Sequence, residues 1–260
     1  MSDEQGRERE RLRLHHRWFG DEDSPRPPLL LIHGGGSTIE SNWGMLLPHL
    51  CSTRTVLAVE LQGHGRTASG DGPASFEGSA DDVAALLAEL GVGPVDVLGF
   101  SNGGQVALLL AARHPERVRR LIAASAPFRR DGMIEGFWEG LAAGTFDDLP
   151  DVYRSADLAV SHDPGHARRM FELDQELMLG FQGFEEAVIA SITAPTLVVG
   201  GDRDVVRADH FVELAGLLPD ARLLIVPGGH GDYLGEVLAA GGDPRAMEAT
   251  LPFLLAFLDA

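Results

Sequence analysis

Six short, mostly apolar runs recur along this 260-residue chain, with helical patterns between them. The runs are Leu29–Ile32, Thr55–Val59, Val95–Leu98, Leu121–Ala124, Thr196–Val199 and Leu223–Val226. They are too short for buried helices, and they lack the alternation of apolar and polar residues that half-exposed strands show. Such runs are typical of strands that are covered on both faces, as in a parallel sheet. The pattern predicts an α/β fold with a mostly parallel sheet, helices on both faces and right-handed crossovers.

The segments between and after these runs carry apolar residues at helical spacing. The apolar residues of 83–90 fall at positions i, i+3, i+4 and i+7, which places them on one helix face. A similar pattern ends the chain, where Pro252 predicts a helix that begins near Thr250 or bends there. Ahead of the first run, Leu12–Phe19 is predicted to form an edge strand, and residues 1–10 a disordered lead-in.

The alternation of strand and helix stops between residues 128 and 191, where only helical patterns and many aromatic residues occur. We interpret this stretch as a helical cap, and residues 1–127 and 192–260 as the core. A cap inserted there lies over the carboxyl ends of the strands, where open α/β sheets bind their ligands.

The charge and composition exclude several classes of function. A net charge of −18, from 39 acidic and 21 basic residues, argues against nucleic acid or an anionic membrane as a partner. Every basic residue is arginine, so Schiff-base chemistry, pyridoxal phosphate anchoring and a Walker A loop are excluded because they need lysine.

Cysteine and histidine usage excludes further classes. Cys51 is the only cysteine, which excludes an intrachain disulfide and a cysteine-rich zinc site. No His-x-x-x-His pair or cluster of acids and histidines indicates a metal site, and no cofactor is implied. Residues 1–13 lack the apolar core of a signal peptide, and no apolar run approaches the roughly 20 residues of a spanning helix, so we expect a cytoplasmic protein without membrane contact.

The five residues Gly99–Gly103, of sequence GFSNG, join a predicted strand to a predicted helix. A strand, a sharp turn and a helix form the context that gives a G-x-S-x-G match its meaning. The turn is so tight that a Cβ atom two residues before or after the serine would collide with the backbone, which favours glycine there. Ser101 is therefore a candidate nucleophile on strained backbone.

A serine nucleophile needs a base, and the base needs an acid that orients it. Two later loops offer these groups: Asp202 and Asp204 follow one strand, and His230 follows the next. Loops at the carboxyl ends of neighbouring parallel strands converge, so we predict a triad of Ser101, His230 and Asp204. Asp204 is favoured over Asp202 because it lies farther into its loop, and Asp131 is a more distant alternative.

The loop His33–Thr38, which follows the first buried strand, carries three consecutive glycines. Next to a nucleophile turn, its N–H groups predict half of an oxyanion hole, with Gly35 favoured over Gly36 and the Asn102 N–H as the other half. The alternative is a glycine turn without a catalytic part. We expect His33 to hold this loop, and His64 to belong to a structural turn.

Together these motifs resemble the α/β-hydrolase superfamily, from about residue 29 onward. The resemblance rests on the His33-Gly34 loop, the turn at 63–67, the Ser101 turn, the Gly201–Asp204 loop and the Gly229-His230 pair. It implies an eight-stranded, mostly parallel sheet with a helical cap between strands six and seven. Glu60 departs from the aspartate that is common in relatives, and the short region before Leu29 could abbreviate or remove the first antiparallel strand.

Within that superfamily, a serine nucleophile disfavours haloalkane dehalogenases and epoxide hydrolases, which use aspartate. We expect a serine esterase that acts on a small or medium, largely apolar ester, thioester or lactone. Carbon–carbon bond hydrolases, lyases, cofactor-free perhydrolases or haloperoxidases, and a non-catalytic ligand receptor stay open, because fold alone does not separate them. The pocket candidates are Met133, Trp138, Met170 and Met178, which also fit as contacts between cap and core. The oligomeric state is not predicted.

Overall fold

The sheet is built from the six predicted strands and one antiparallel edge strand. The computed structural model describes residues 12–21, 23–70 and 72–260, so the predicted lead-in at residues 1–10 lies outside the described residues. The strands are β1 (His16–Phe19), β2 (Leu29–Ile32), β3 (Val56–Val59), β4 (Val95–Phe100), β5 (Val118–Ala124), β6 (Thr196–Gly201) and β7 (Ala221–Val226).

The strand order is β1-β3-β2-β4-β5-β6-β7, and only the pairing of β1 with β3 is antiparallel. This order confirms the predicted fold class. The predicted number of eight strands is wrong for the described part of the chain, where the sheet has seven. The edge strand is shorter than predicted, because it begins at His16 rather than Leu12.

Eleven helices surround the sheet in the described part of the chain. They are α1 (Ile39–Trp43), α2 (Leu47–Cys51), α3 (Phe76–Glu89), α4 (Asn102–Arg113), α5 (Phe137–Ala143), α6 (Asp151–Ser161), α7 (His166–Gly180), α8 (Glu186–Ala190), α9 (Ala208–Leu217), α10 (Val237–Ala240) and α11 (Arg245–Leu258). None of these described helices is both long and apolar enough to cross a membrane.

The last helix begins five residues before the predicted Thr250 and continues through Pro252. A proline inside a helix removes one N–H donor and crowds the preceding turn. Burial of Leu254, Phe257 and Leu258 against the sheet offsets that cost, so packing overrides the local preference.

Apolar side chains fill a separate layer on each face of the sheet. Leu30 and Ile32 of β2 point into the layer that contains α3 and α4, whereas Leu29 and Leu31 point into the layer under α1, α2 and α11. All four residues are fully buried, which explains why this strand is a continuous apolar run.

Helices α5 to α8 lie between β5 and β6, where the insertion was predicted. Within residues 128–191, all of which are described, there is no strand, and the only β contact is an isolated bridge between Met133 and Val206. The division into a core and a cap stays an interpretation of this pattern.

Candidate active site

Ser101 lies in the sharp turn between β4 and α4 with φ 53° and ψ −120°. Few residues other than glycine adopt such a positive φ, and strain of this kind is common at functional sites. The flanking glycines are sterically required. A Cβ on Gly99 would lie 2.3 Å from the Gly103 carbonyl oxygen, and one on Gly103 would lie 2.2 Å from that of Ile32.

The structure brings Ser101, His230 and Asp204 into one hydrogen-bonded chain. The Ser101 Oγ is 3.0 Å from His230 Nε2, and His230 Nδ1 is 2.7 Å from Asp204 Oδ1. The carboxylate accepts from Nδ1–H, which leaves Nε2 free to accept the serine proton. This arrangement has the geometry of a nucleophile, a base and an acid that orients the base.

The other two candidate acids lie elsewhere. Asp202 accepts a hydrogen bond from the Gly228 N–H and is exposed, so it caps the neighbouring loop. Asp131 is also exposed, and it pairs with Arg129. Neither carboxylate contacts His230.

Asp204 is held from behind by groups that the sequence analysis missed. The Ser125 hydroxyl donates to Asp204 Oδ2, so the Tyr233 hydroxyl, 2.7 Å from Ser125 Oγ, must donate to Ser125. Ser125 directly follows β5 and has a φ of 50°, and both it and Tyr233 are fully buried. Its place after a strand, at the edge that carries the other site residues, is the signal that could have identified it.

The pKa of Asp204 follows from these contacts. Burial alone would raise the pKa of this carboxyl. The hydrogen bond and charge of His230, the Ser125 hydroxyl and the N–H of Val206 outweigh burial and hold the pKa below its ordinary range. The acid is therefore ionised when it faces His230.

The two predicted oxyanion-hole donors, Gly35 and Asn102, line the same small cavity. The Gly34 N–H donates to Asn42 Oδ1 at 2.7 Å, and the Gly36 N–H donates to Asp174 Oδ2 at 2.6 Å. The N–H groups of Gly35 and Asn102 have no hydrogen-bond partner among the described residues. The Gly36 donor is already engaged, which favours Gly35, and the oxyanion hole itself stays a prediction.

His64 does more than hold its own turn. Its Nδ1 is 2.9 Å from the Gln62 carbonyl oxygen, and its Nε2 is 3.0 Å from Asp174 Oδ2. Both partners accept hydrogen bonds, so both ring nitrogens must donate, and the ring is an imidazolium next to an aspartate. Sequence reasoning missed Asp174, which lies on α7 and is 110 residues from His64 along the chain.

The shifts in pKa agree with this ion pair. Burial alone would lower the pKa of His64, but the charge and hydrogen bond of Asp174 outweigh it and raise that pKa. Burial would likewise raise the pKa of Asp174, but His64 and the Gly36 N–H hold it below its ordinary value. The neighbouring His33 stays neutral, because burial and the charge of His64 lower its pKa to about 3.

Glu60, which departs from the pattern of the superfamily, has a structural place in the same loop cluster. It is fully buried and accepts from the Arg66 N–H at 2.6 Å and from the Arg66 guanidinium at 2.8 Å. These bonds fix the turn that carries His64, which agrees with the expectation of a minor structural variation.

The four predicted pocket residues lie away from the cavities near Ser101. Met133 and Met178 belong to the apolar core, and Met170 is buried. Trp138 donates to the Arg130 carbonyl oxygen at 2.9 Å. None of the four lines the outer cleft of about 960 Å³ or the smaller cavity next to it. Their role as pocket residues stays a prediction. Met133 and Met178 pack within the apolar core, which agrees with the alternative that they are contacts between cap and core.

Other side chains separate the two cavities. The outer cleft lies between the segments 69–70 and 72–77 on one side and the end of α7 on the other. The inner cavity reaches Gly35 and Asn102. Four residues line both: Ala74, Phe76, Leu173 and Leu177. The described residues contain no group of three or more His, Cys, Asp or Glu side chains that could hold a metal ion.

The chain matches the family model described as alpha/beta hydrolase fold over residues 27–181. It is 42% identical over 125 residues to a pimeloyl-[acyl-carrier protein] methyl ester esterase of Neisseria meningitidis serogroup C; this match covers 48% of the chain and 46% of that relative. It is 39% identical over 219 residues to a 2-hydroxymuconate semialdehyde hydrolase of Pseudomonas sp. strain CF600, which covers 75% of the chain and 77% of that protein.

Among solved structures, an enol-lactonase from Burkholderia xenovorans LB400 superposes with a TM-score of 0.74 at 21% identity. The superposition covers 97% of this chain and 98% of that one, so the two share their fold. The family model covers more than half of the chain, and the relatives above are named as an esterase and a hydrolase. The chain belongs to the alpha/beta hydrolase fold family.

Proposed function

We propose that this protein is a serine esterase in which Ser101, His230 and Asp204 form the catalytic triad. The observation that carries the proposal is the unbroken hydrogen-bonded chain from Ser101 Oγ through His230 to Asp204. No other candidate acid contacts His230 in the described part of the chain, so the assignment of the acid depends on geometry as well as chain order.

The first half of the reaction transfers the acyl group to the enzyme. Ser101 Oγ attacks the ester carbonyl carbon while its proton passes to His230 Nε2, and Asp204 stabilises the imidazolium. The negative charge on the carbonyl oxygen is held by the N–H groups of Gly35 and Asn102. The tetrahedral intermediate collapses, the bond to the alkoxy oxygen breaks, and His230 gives its proton to the departing alcohol.

The second half returns the enzyme to its starting state. Water attacks the acyl-enzyme carbonyl and transfers a proton to His230, which then protonates Ser101 Oγ as the carboxylic acid leaves. The cycle consumes one water for each ester and needs no cofactor.

Apolar side chains beside the cavities support a small or medium, largely apolar substrate. The wall between them consists of the apolar side chains of Ala74, Phe76, Leu173 and Leu177, and Phe181 and Phe184 line the outer cleft. The relative from Neisseria meningitidis is named as a methyl ester esterase. Because the match spans less than half of that relative, its substrate is not transferred to this chain; only the ester class is proposed. A cytoplasmic location is part of the proposal.

A carbon–carbon bond hydrolase is the second candidate. The observation in its favour is the 39% identity to a 2-hydroxymuconate semialdehyde hydrolase over 75% of the chain, since the compound in that name is not an ester. The same triad would serve this reaction, so the substrate range decides between the two.

A panel of simple esters and a serine-directed fluorophosphonate test the proposal. We expect ester hydrolysis, labelling of Ser101, and a burst of alcohol release with an activated ester. Ser101→Ala should abolish labelling and lower kcat by roughly 10⁴-fold or more. Ser191→Ala is the control, because this exposed serine contacts only the Val188 carbonyl oxygen. Wild-type activity in Ser101→Ala would refute the triad, and a folded protein that neither reacts nor hydrolyses esters would favour a ligand receptor.

A further inference from the structure

A small, mostly apolar cavity that contains a few polar groups adjoins the predicted oxyanion hole. Its lining includes Gly35 and Asn102, which would hold the oxyanion, and Asp174 and His64, which have no part in the triad. A group of the substrate that enters this cavity would therefore lie a few atoms from the reacting carbonyl.

Asp174, which lines this cavity, carries an unsatisfied acceptor. Its Oδ2 is fully engaged, with the Gly36 N–H at 2.6 Å and His64 Nε2 at 3.0 Å. Its Oδ1 is buried and has no hydrogen-bond partner among the described residues. A buried acceptor without a partner has lost its hydrogen bond to water, so a substrate donor that reaches Oδ1 supplies the hydrogen bond that the protein leaves unmade.

The charge around this acceptor favours a neutral donor. His64 already neutralises the Asp174 carboxylate at 3.0 Å, so a substrate cation would meet an imidazolium there. A substrate carboxylate would meet the Asp174 charge, since the buried His33 is neutral. A hydroxyl avoids both penalties and still donates to Oδ1.

The size of the cavity points to a small group. It offers only about 10 Å³ to the centre of a water-sized sphere, which is about the room for one water molecule. A hydroxyl has the size of a water molecule and can reproduce its hydrogen bonds, whereas a methyl group of similar size leaves Oδ1 unpaired.

We propose that Asp174 determines substrate specificity by binding a hydroxyl group of the substrate near the scissile carbonyl, so that the preferred substrates are hydroxy-substituted esters. The inference depends on the proposed esterase function and names the class of ester that it acts on. Asp174 accepts a hydrogen bond from the substrate hydroxyl through Oδ1, while His64 fixes the carboxylate and makes the ion pair neutral overall.

Matched ethyl esters test this subsite. Ethyl lactate is compared with ethyl propionate, and ethyl 3-hydroxybutyrate with ethyl butyrate and ethyl 3-methoxybutyrate, each corrected for its hydroxide-catalysed rate. We expect the wild-type protein to prefer the hydroxy ester of at least one pair by about 10-fold or more in kcat/KM, because a site built for a hydroxyl discriminates against its absence. The methoxy ester, which cannot donate, should lose this preference.

Variants assign the preference to Asp174. In Asp174→Ala the ratio of the hydroxy ester to the plain ester should fall to about 1, while Glu172→Ala, an exposed acid on the same helix, should keep the wild-type ratio. Because a ratio is compared within each protein, a general loss of activity does not change it. If Asp174→Ala fails to fold, the comparison of hydroxy, methoxy and plain esters on the wild-type protein still decides.

Three results would overturn the subsite: a wild-type ratio near 1 for both pairs, a preference that persists in Asp174→Ala, or a stronger preference for the ammonium ester ethyl 3-aminobutyrate. Hydrolysis of the plain esters with no such preference would reject the subsite and leave the esterase function standing. A folded protein that hydrolyses none of these esters would refute the proposed function, and with it the subsite.

Discussion

Removal of the Ser125 hydroxyl tests whether the groups behind the acid position the triad. Ser125→Ala deletes the donor to Asp204 Oδ2 and leaves the Tyr233 hydroxyl without its 2.7 Å partner. Hydrogen bonds to a buried charged group contribute about 1.5–3 kcal/mol, so we expect the free energy of unfolding to fall by about that amount. The remaining donor to Oδ2, the Gly201 N–H at 3.4 Å, is too long to compensate fully.

The pH dependence of stability should follow from the pKa of Asp204, and the change in activity from its orientation. Its folded pKa lies below the ordinary value of 3.8 partly because of Ser125, so its contribution to stability is present above pH 3.8 and is lost as the pH falls through the folded value. Without Ser125 that loss should begin at a higher pH. We expect kcat to fall by roughly 10- to 100-fold with little change in KM, since orientation rather than substrate binding is impaired.

The assays are the kcat of ester hydrolysis between about pH 4 and pH 9 and the free energy of unfolding in urea. Tyr233→Phe is the graded variant, because it removes the outer hydrogen bond and keeps the Ser125 donor, so its effect should be smaller. Ser191→Ala should match the wild-type protein. An unchanged kcat and an unchanged acid limb in a folded Ser125→Ala would refute the positioning role, even if stability fell.

Three further predictions concern the acid, the turn and the ion pair. Asp204→Asn should lower kcat by about 10⁴-fold and Asp202→Asn by only a few-fold, as steady-state kinetics would reveal, because only Asp204 contacts His230. Gly103→Ala should lower the free energy of unfolding by roughly 3 kcal/mol or more in urea titrations, or prevent folding, since its Cβ would lie 2.2 Å from a main-chain oxygen of β2. The raised pKa of His64 stabilises the fold fully below pH 6.5, and this contribution is lost as the pH rises through the raised folded value. Across that interval the Tm of the wild-type protein should therefore fall more than the Tm of Asp174→Asn.

Local backbone geometry explains why the sequence alone predicted so much of the site. A continuous apolar run such as Leu29–Ile32 indicates a strand covered on both faces. The G-x-S-x-G turn can be recognised from five consecutive residues, because its backbone leaves no room for a Cβ atom at either glycine. The parallel order of the strands then brings the loops of Asp204 and His230 to the edge that carries Ser101. The fold class and the candidate triad therefore followed from chain order and residue type.

Other features depend on contacts between residues that are far apart in the chain, where no local pattern specifies the partner. Asp174 reaches Gly36 across 138 positions, and Ser125 lies 79 positions from Asp204. The helical spacing of α7 identifies its apolar stripe but not which members face a cavity. Leu173 and Leu177 line both cavities, whereas a lining role for Met170 and Met178 stays a prediction. The sequence by itself determined the fold class, the serine turn and the chain order of the candidate triad, because these follow from local sterics and periodicity. Only the tertiary structure decided which acid meets His230, what holds that acid and what lines the cavity beside the oxyanion hole, because packing sets those neighbours.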